Sequence, residues 1–530
     1  MNMNMGTTIY WHTNQVIVRV KYPVPSSGVI GAPDIIRGAS GLGVDLSINS
    51  PLPLQRTAPM GGAISDTQRE AVVFCQINPG MSSDMQSMGE SNDQTLAVIK
   101  LFDDDQALLK ELQKQQPVDE VDVIPHWFKA GTDYIIQGCP ISPPIPSKEH
   151  TSSGQWKLGF LQLPGKLQDA TGKGATVFVL DTTPPIEQIL KAAEQAGERN
   201  MLLQDMKQAM NPANGGAPSL KIHYQDLPAI VEGTPPERMV TGKDIYGRHT
   251  GFPMADHGLF VAGIVHDLAP KATIEVVRVL NDDGVGDIQT LKKALDDILS
   301  RTETDLKGVP LVVNLSLVFL PPEDDIPDGV TPLLLNTSRN VLSSLLQPLA
   351  GKGVMFVAAA GNDSDPRMNQ SEKRFGPRYP AAFAQDQDYP IATMISVGAV
   401  NRNGDAALYS NYPGANGIAT YGGDLPKPDP WLPSAMSHTD VHPDTTTPID
   451  ALCGLFSAAS FPALSKNGQP PEVPAGSTSA WAYWSGTSFA APIMSALVAR
   501  ILQTRESKNT DVRKVMLDTA KSGTLWTSID

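Results

Sequence analysis

The sequence predicts an α/β protein with a doubly wound, mostly parallel sheet, preceded by a separate N-terminal α+β accessory domain. After about residue 150, apolar runs of strand length alternate with segments of helical periodicity, which is the pattern of βαβ units. Before that point the chain is rich in strand-like runs and poor in helices. At 530 residues it is also too long for one ordinary core. The expected units are a domain at 1–145, a linker at 146–155 and a larger domain at 156–530.

The N-terminal half contains three β-branched-rich runs that are typical of strands. They are 16–20, 71–77 and 95–102. One clear helix is predicted over 103–115, where acidic residues at the start favour the positive end of the helix dipole. Residues 24–70 are rich in Gly, Pro and Ser, and we expect irregular structure there.

Beyond the linker, strands and helices alternate in a way that predicts right-handed crossovers and a parallel sheet. The predicted strands are 172–181, 271–280, 309–317, 353–362 and 394–400, and the predicted helices are 186–210, 287–301 and 331–350. Ligands of such sheets bind at the carboxyl ends of strands. The residues to inspect are therefore Asp181, Ser316 and Asn362.

Composition and charge exclude several classes of protein. Hydrophobic residues are 41% and charged residues 18%, which is a globular balance. The net charge of −15 argues against a nucleic-acid partner, because such binding needs clustered Lys and Arg. The three cysteines form neither a disulfide framework nor a metal cluster. The short acidic groups lack the spacing of a calcium loop, so no cofactor and no defined metal site are expected, with calcium binding left open.

The sequence also carries expectations about location. Its first residues, MNMNMGTTIYWHTNQ, lack the basic and apolar regions of an export signal. No run approaches the roughly 20 apolar residues that cross a bilayer. We expect a cytoplasmic protein without a membrane partner. The oligomeric state cannot be read from the sequence.

Three segments carry residues with catalytic potential, although each has a structural alternative. In ATVFVLDTT, Asp181 follows an apolar strand, where a turn carboxylate is also common. In ADHGLFVAGIV, His257 precedes an apolar helix, where it could serve as a structural hydrogen-bonding group. In WSGTSFAAPIM, Ser488 enters a buried helix, where a serine is a frequent N-cap.

Taken together, these segments resemble the subtilisin-like serine peptidases, the subtilases. The order of acid, His and Ser is the order known for subtilisin. The motifs VLDTT, HGLFVAGIVHDLAP and SGTSFAAP resemble those of the family, and SGTSFAAP is the most specific. AAAGNDS is similar to its oxyanion segment, and VVNLSL is similar to its substrate-binding strand. The resemblance covers about residues 150–530, with insertions expected near 182–250, 319–331 and 403–480.

The resemblance implies a role for each residue. Ser488 would be the nucleophile, and His257 the base that takes its proton, since imidazole titrates near neutral pH. Asp181 would fix the tautomer of His257. The Asn362 amide would donate to the oxyanion, together with the Ser488 backbone N–H.

Substrate contacts are also implied by the resemblance. An extended peptide would pair with the backbone around Ser316, Leu317 and Val318. Small residues, Ala359 and Gly361 among them, would line the pocket for the residue before the scissile bond. The family usually has Gly where this chain has Val318, which argues against broad cleavage. The long, Pro- and Gly-rich insertions are either solvated loops or walls beside the cleft.

The function expected from these features is a serine endopeptidase acting on protein or peptide substrates, with limited proteolysis of intracellular partners. The N-terminal region is either a propeptide-like domain, released by self-cleavage between about 138 and 155, or a permanent regulatory domain. Two other classes remain open. They are a peptide ligase or cyclase using the same acyl-enzyme, and a catalytically silent binding scaffold.

Overall fold

A computed structural model provides the structure of the protein. It describes 11–23, 32–48, 54–56, 68–78, 94–103, 106–131, 144–146, 166–213, 215–225, 254–282, 284–318, 332–364, 374–424, 450–459, 479–504 and 511–521. These residues form two main sheets, a parallel sheet in the C-terminal part and an antiparallel sheet in the N-terminal part.

The N-terminal part is an antiparallel sheet with helices on one face. Its elements are β1 (Trp11–Pro23), α1 (Ala32–Gly41), β2 (Leu46–Ile48), β3 (Leu54–Arg56), β4 (Gln68–Ile77), α2 (Gln94–Asp103), α3 (Ala107–Gln113), β5 (Glu120–Gly131) and the short β6 (Ile145–Pro146). β1 lies between β4 and β5 and is antiparallel to both.

Alternation along β1 gives this sheet two apolar faces. Val16, Val18 and Val20 pack with α1, α2 and α3 in a separate core. Ile17, which points to the opposite face, joins the core of the C-terminal part. The N-terminal domain is therefore fastened to the rest of the chain by its second sheet face.

Two expectations for this region were wrong. The run at 95–102 forms a helix, because a short apolar run without alternation fits a buried helix as well as a strand. Part of the segment 24–70 is regular rather than irregular, since it contains α1, β2 and β3. The strands predicted at 16–20 and 71–77 are confirmed, and the helix predicted at 103–115 is confirmed over 107–113.

The C-terminal part begins with α4 (Lys166–Asp169), β7 (Thr176–Asp181), α5 (Ile186–Ala196), α6 (Met201–Met210), β8 (Leu220–Tyr224), α7 (His257–Leu268), β9 (Thr273–Arg278), β10 (Val285–Asp287) and α8 (Ile288–Arg301). It continues with β11 (Leu311–Leu315), β12 (Leu317–Val318), α9 (Pro332–Gly351), β13 (Met355–Ala359), β14 (Met394–Val400), β15 (Ile418–Tyr421), β16 (Leu452–Leu455), β17 (Trp481–Trp484), α10 (Thr487–Thr504) and α11 (Val512–Lys521).

Seven of these strands form one parallel sheet in the order β15-β14-β13-β11-β7-β9-β8. Each neighbouring pair is parallel. The order reverses direction about β7 and β11, as a doubly wound sheet does. The predicted fold class is thus confirmed, and β7 and β11 lie at the centre, where polar residues at strand ends can meet.

Helices cover both faces of the parallel sheet. Val177 and Val179 of β7 face a core built with α5, α6, α7, α10 and α11. Phe178 and Leu180 face the opposite core, built with α8, α9 and the N-terminal sheet. The helix predicted at 186–210 is in fact two helices, because a 3-10 turn at Gly197–Arg199 separates α5 from α6. The Asn200 side chain then caps α6 by accepting from the Leu203 N–H.

Candidate active site

Asp181 is the last residue of the central strand β7 and is fully buried. Its Oδ1 lies 2.7 Å from His257 Nδ1 and accepts a 2.7 Å hydrogen bond from the Thr182 N–H. The carboxylate therefore holds the Nδ1 side of the imidazole, which leaves Nε2 as the proton-accepting nitrogen of a neutral ring.

Close packing of the α7 backbone on the β7 backbone brings His257 into contact with Asp181. His257 is the first residue of α7, and Gly258 follows it. A Cβ at Gly258 would lie 2.0 Å from Thr182 O and 3.0 Å from Asp181 Cβ. Only glycine allows the start of α7 to approach the end of β7 this closely. The Thr182 hydroxyl fixes the same approach, because it accepts from the Gly258 N–H at 3.1 Å.

Ser488 is the second residue of α10, and a hydrogen-bond chain fastens it to β11. Ser488 O accepts from Ser316 Oγ at 2.8 Å, and Ser316 Oγ accepts from Asn314 Nδ2 at 2.9 Å. Ser495 Oγ, further along α10, donates to Asn314 Oδ1 at 2.9 Å. These side chains are all buried. They fix the position of the turn that contains Ser488 relative to the sheet.

Pro492 explains why Ser316 is needed there. It lies inside α10 and has no N–H to bond the carbonyl four residues earlier. That carbonyl belongs to Ser488, and the Ser316 hydroxyl satisfies it instead. The side chain of Ser316 thus bonds the backbone carbonyl of Ser488, whereas the sequence predicted a substrate-binding role for the backbone of Ser316.

Asn362 follows β13 and reaches the first turn of α10. Its Oδ1 accepts from the Thr487 N–H at 2.9 Å and from Thr487 Oγ1 at 2.8 Å. With Oδ1 committed to these two donors, Nδ2 is the end of the amide that can donate to a substrate oxygen. The Thr487–Ser488 turn is also the positive end of α10.

Aromatic rings place the imidazole against the nucleophile segment. The His257 ring centroid is 5.5 Å from that of Trp484, edge to face, and 5.1 Å from that of Phe489. These two residues flank Ser488 in the chain. Trp484 and Phe489 also contact each other and Phe260 of α7. The imidazole therefore packs against two aromatic rings of the segment that contains Ser488.

The predicted substrate strand is already paired with part of this chain. Leu317 and Val318, as β12, pair antiparallel with Gly131 and Ala130 of β5. On its other side, the end of β5 pairs antiparallel with β10, Phe128 to Ala130 opposite Asp287 to Val285. The N-terminal domain therefore places the end of β5 between two strands of the C-terminal part. The sequence left a propeptide-like N-terminal domain open, without identifying the strand that pairs here.

The residues expected to line the pocket lie beside Asn362. Ala359 ends β13, and Gly361 has a φ of 112°, a conformation that favours glycine. A Cβ at Gly361 would lie 2.6 Å from Asn411 Nδ2. Behind this segment, Asp363 forms a buried ion pair with Arg378. The segment with Ala359 and Gly361 thus packs against a polar amide and a buried ion pair whose charges balance.

Membrane spans and metal sites are absent from the described residues. Among the residues that the structure describes, no helix is long and apolar enough to cross a membrane. Within the same part of the chain, no cluster of three His, Cys, Asp or Glu residues could hold a metal ion. The expectation that the protein works without a cofactor stays a prediction.

A carboxylate bound to a buried imidazole, next to a serine at a helix start and an amide, defines a hydrolase of the serine peptidase class. A family model described as the subtilase family matches residues 243–528, more than half of the chain, and the chain belongs to that family. The match includes His257, Asn362 and Ser488 but begins after Asp181. The bond between Asp181 and His257 connects that residue to the matched part.

A curated relative and three solved structures are similar to the chain. The minor extracellular protease Epr of Bacillus subtilis (strain 168) is 27% identical over 183 residues, which cover 31% of this chain and 22% of that protein. The chain therefore matches about a fifth of the relative's length. A mutant of the protease domain of PatA is similar at 18% identity and a TM-score of 0.35, over 67% of this chain and 90% of that one.

The other two structures are similar to the same degree. A lanthipeptide protease has 18% identity and a TM-score of 0.37, over 67% of this chain and 82% of its own. The prenylagaramide maturation protease PagA has 18% identity and a TM-score of 0.35, over 68% and 89%. Similarity at this level says nothing about the substrates of this chain.

Proposed function

We propose that the protein is a serine endopeptidase in which Ser488, His257 and Asp181 form the catalytic triad. The observation that supports this most directly is the buried 2.7 Å contact between Asp181 Oδ1 and His257 Nδ1, with the imidazole packed against Trp484 and Phe489, which lie on either side of Ser488 in the chain. Asn362 Nδ2 and the Ser488 N–H are the proposed oxyanion donors.

The reaction would proceed in two halves. Ser488 Oγ attacks the peptide carbonyl while His257 Nε2 takes its proton, and the negative charge on the carbonyl oxygen is stabilised by the two donors. The C–N bond then breaks, and the imidazolium gives its proton to the leaving amine. Water, deprotonated by His257, then attacks the ester carbonyl, the bond to Ser488 Oγ breaks, and the imidazolium returns its proton to Oγ as the acid is released. Asp181 stabilises the imidazolium in both halves.

We further propose that the N-terminal domain occupies its own substrate cleft until it is cut. The end of β5 lies between β10 and β12 as an extended peptide would, and a separate sheet face of the same domain packs into the C-terminal core. Main-chain pairing of this kind binds peptides without a strict sequence requirement. In this state a second substrate could not pair with Leu317 and Val318.

The register of β5 suggests where self-cleavage occurs. Gly131 is opposite Leu317, and Ser316, the next residue along, contacts the carbonyl of Ser488. The bond that reaches the nucleophile would therefore be among the first after Gly131, upstream of the window at 138–155 expected from the sequence. Apart from residues 144–146, that window lies outside the described residues. β6 lies further along the chain and pairs with β17, the strand that leads to Ser488.

Intact mass spectrometry of wild type and Ser488→Ala tests both proposals. The wild type should give two fragments whose junction lies shortly after Gly131, and the variant should remain full length. Fragments of equal mass in both proteins would contradict self-cleavage. Peptide hydrolysis by wild type but not by Ser488→Ala would support the endopeptidase, and products carrying an added amine would indicate the ligase instead.

Expectations about location and partners stay predictions. A cytoplasmic protein that cuts intracellular partners is consistent with the sequence, but only the protease class is carried by the family match. Cell fractionation, followed by comparison of the protein termini in cells with active enzyme and with Ser488→Ala, would test both.

A further inference from the structure

A second buried carboxylate lies directly before the proposed base. Asp256 is 1% exposed and precedes the first residue of α7. Its Oδ1 accepts from the Ser457 N–H at 2.8 Å and from the Ser457 hydroxyl. Its Oδ2 accepts from the Ala458 N–H at 3.0 Å. Both oxygens are thus bonded to a chain segment that lies 201 residues further along the sequence.

That segment leads to the nucleophile. Ser457 follows β16, and β16 is paired antiparallel with β17, from Leu452 opposite Trp484 to Leu455 opposite Trp481. β17 ends four residues before Ser488, and its last residue, Trp484, contacts the His257 ring. Asp256 therefore joins the backbone next to His257 with the strand pair that leads to Ser488.

A third element completes the cluster. Gln188 of α5 donates from Nε2 to Ser457 Oγ at 2.9 Å, and the same group is 3.5 Å from Asp256 Oδ2. The cluster of Asp256, Gln188, Ser457 and Ala458 thus spans α5, the start of α7 and the chain after β16. None of these side chains has a part in the reaction steps described above.

We propose that Asp256 is a positioning residue, whose carboxylate clamps the start of α7 to the segment after β16 and so fixes His257 relative to Ser488. The proposal rests on the endopeptidase function proposed above. Displacement of a reacting group by about 1 Å can reduce the rate by about 100-fold, so a clamp at this point has a large effect on turnover.

The electrostatics of the clamp agree with this role. Burial raises the pKa of Asp256 to about 6, the hydrogen bonds from Ser457 and Ala458 oppose that rise, and the charge of Asp282 adds to it. His257, the next residue, has its Nδ1 on Asp181, and Arg278 is bonded to Asp282. Because the folded pKa is above the unfolded one, keeping this carboxylate ionised costs stability at neutral pH. A group held at that cost suits a positional role better than a stabilising one.

Three variants test the clamp, each assayed as the full chain by peptide hydrolysis. In Asp256→Asn, the amide NH₂ would face either the Ser457 donors or the Ala458 N–H, so the clamp opens. We expect kcat to fall about tenfold or more with KM nearly unchanged. Ser457→Ala removes one donor that lowers the pKa of Asp256. Its activity at pH 6 relative to pH 8 should therefore fall below that of wild type.

Asp282→Asn is the matched control. It also removes one carboxylate near Asp256, but Asp282 is more than half exposed and makes no bond to the Ser457 segment. Its activity at pH 8 should equal that of wild type. Its ratio of activity at pH 6 to pH 8 should rise, because a like charge that raises the pKa of Asp256 has been lost. The two variants thus shift the acid limb in opposite directions.

The outcomes separate this proposal from the proposed function. If Asp256→Asn keeps kcat within twofold of wild type, or if Ser457→Ala and Asp282→Asn both leave the pH ratio unchanged, the clamp is overturned while the triad stands. If Ser488→Ala hydrolyses peptides as fast as wild type, the endopeptidase itself is wrong. Should Asp256→Asn fail to fold, the opposite shifts in Ser457→Ala and Asp282→Asn decide the question.

Discussion

Two buried carboxylates on neighbouring strands of the parallel sheet have very different surroundings. Glu275, in the middle of β9, is bound by both terminal nitrogens of Arg301, at 2.7 and 2.9 Å, and also by His223 and Lys221. Asp181, at the end of β7, has only the imidazole of His257 and a backbone N–H. The first carboxylate is bound by the permanent cations of Arg301 and Lys221, whereas the second is bound by no Lys or Arg side chain among the described residues.

This difference separates a structural site from a reactive one. After burial has raised it, the pKa of Glu275 is brought well below its usual range by its hydrogen bonds to Arg301, His223 and Lys221. Its charge is therefore fixed over the physiological range. In the proposed mechanism, Asp181 stabilises the imidazolium that forms when His257 Nε2 takes the Ser488 proton. The same residue type would thus stabilise the fold in one region and serve the reaction in the other.

The largest expected effect comes from removing the charge of Asp181. Asp181→Asn would present an amide to His257 Nδ1 and favour the wrong tautomer, so kcat should fall about 10⁴-fold. Glu275→Gln makes the same chemical change one strand away and should keep kcat within a few fold. Peptide hydrolysis at pH 8 measures both. Equal losses in the two variants would abolish the distinction between the two regions.

A smaller loss is expected from the oxyanion donor. Asn362→Ala removes the Nδ2 donor and should reduce kcat about 10²- to 10³-fold with little change in KM, because the bond strengthens only in the transition state. Thr487→Val is the control, since it removes the Thr487 hydroxyl but keeps the backbone N–H bonded to Asn362 Oδ1. An Asn362→Ala variant with unchanged kcat would assign this amide to helix capping alone.

Glu275→Gln should instead change stability. Breaking a buried ion pair costs about 3 to 5 kcal/mol, and Arg301 retains only its exposed partners Asp305 and Asp297. Because the folded pKa of Glu275 is lowered, its contribution is present above the unfolded pKa, near 4.3, and is lost as the pH falls below that value. The difference in Tm between wild type and variant should be large at pH 7 and shrink below about pH 4. A constant difference would contradict this account.

The smallest effect expected concerns packing at the triad. In Gly258→Ala the new Cβ would lie 2.0 Å from Thr182 O, so the start of α7 must move away from β7. We expect a loss of about 1 to 3 kcal/mol of stability together with reduced activity. Gly216→Ala, where no atom lies within 4 Å of the added Cβ, serves as the control. Full activity in Gly258→Ala would show that this approach does not position His257.

The parallel sheet predicted from the sequence is confirmed, because it depends on local patterns. The triad, predicted from patterns of the same kind, agrees with the bond between Asp181 and His257 and stays a proposal. Apolar strands ending in Asp181 and Asn362 can be recognised from a few neighbouring residues, and the parallel order then brings the strand ends together. The helix at 287–301 was predicted in the same way, and Asp287 caps its start by accepting from the Thr290 N–H at 2.8 Å. Helix and strand were confused only at 95–102, where a short apolar run has no period to decide between them.

The remaining features depend on pairings between distant parts of the chain. The end of β5 finds its partners in β10 and β12, and nothing in the residues around Gly131 indicates this pairing. Asp256 reads as an ordinary residue before a helix, and its bond to Ser457 appears only in the fold. The bond from the Ser316 hydroxyl to the Ser488 carbonyl also joins two distant segments of the chain.

The central claim is that Ser488 is activated by the pair of Asp181 and His257. The most direct measurement is peptide mapping of the protein after reaction with a fluorophosphonate, which forms a covalent bond with an activated serine. The account predicts modification of Ser488 alone in wild type, and a reaction about 10⁴-fold slower in Asp181→Asn. Modification of another serine, or equal rates in the two proteins, would contradict it.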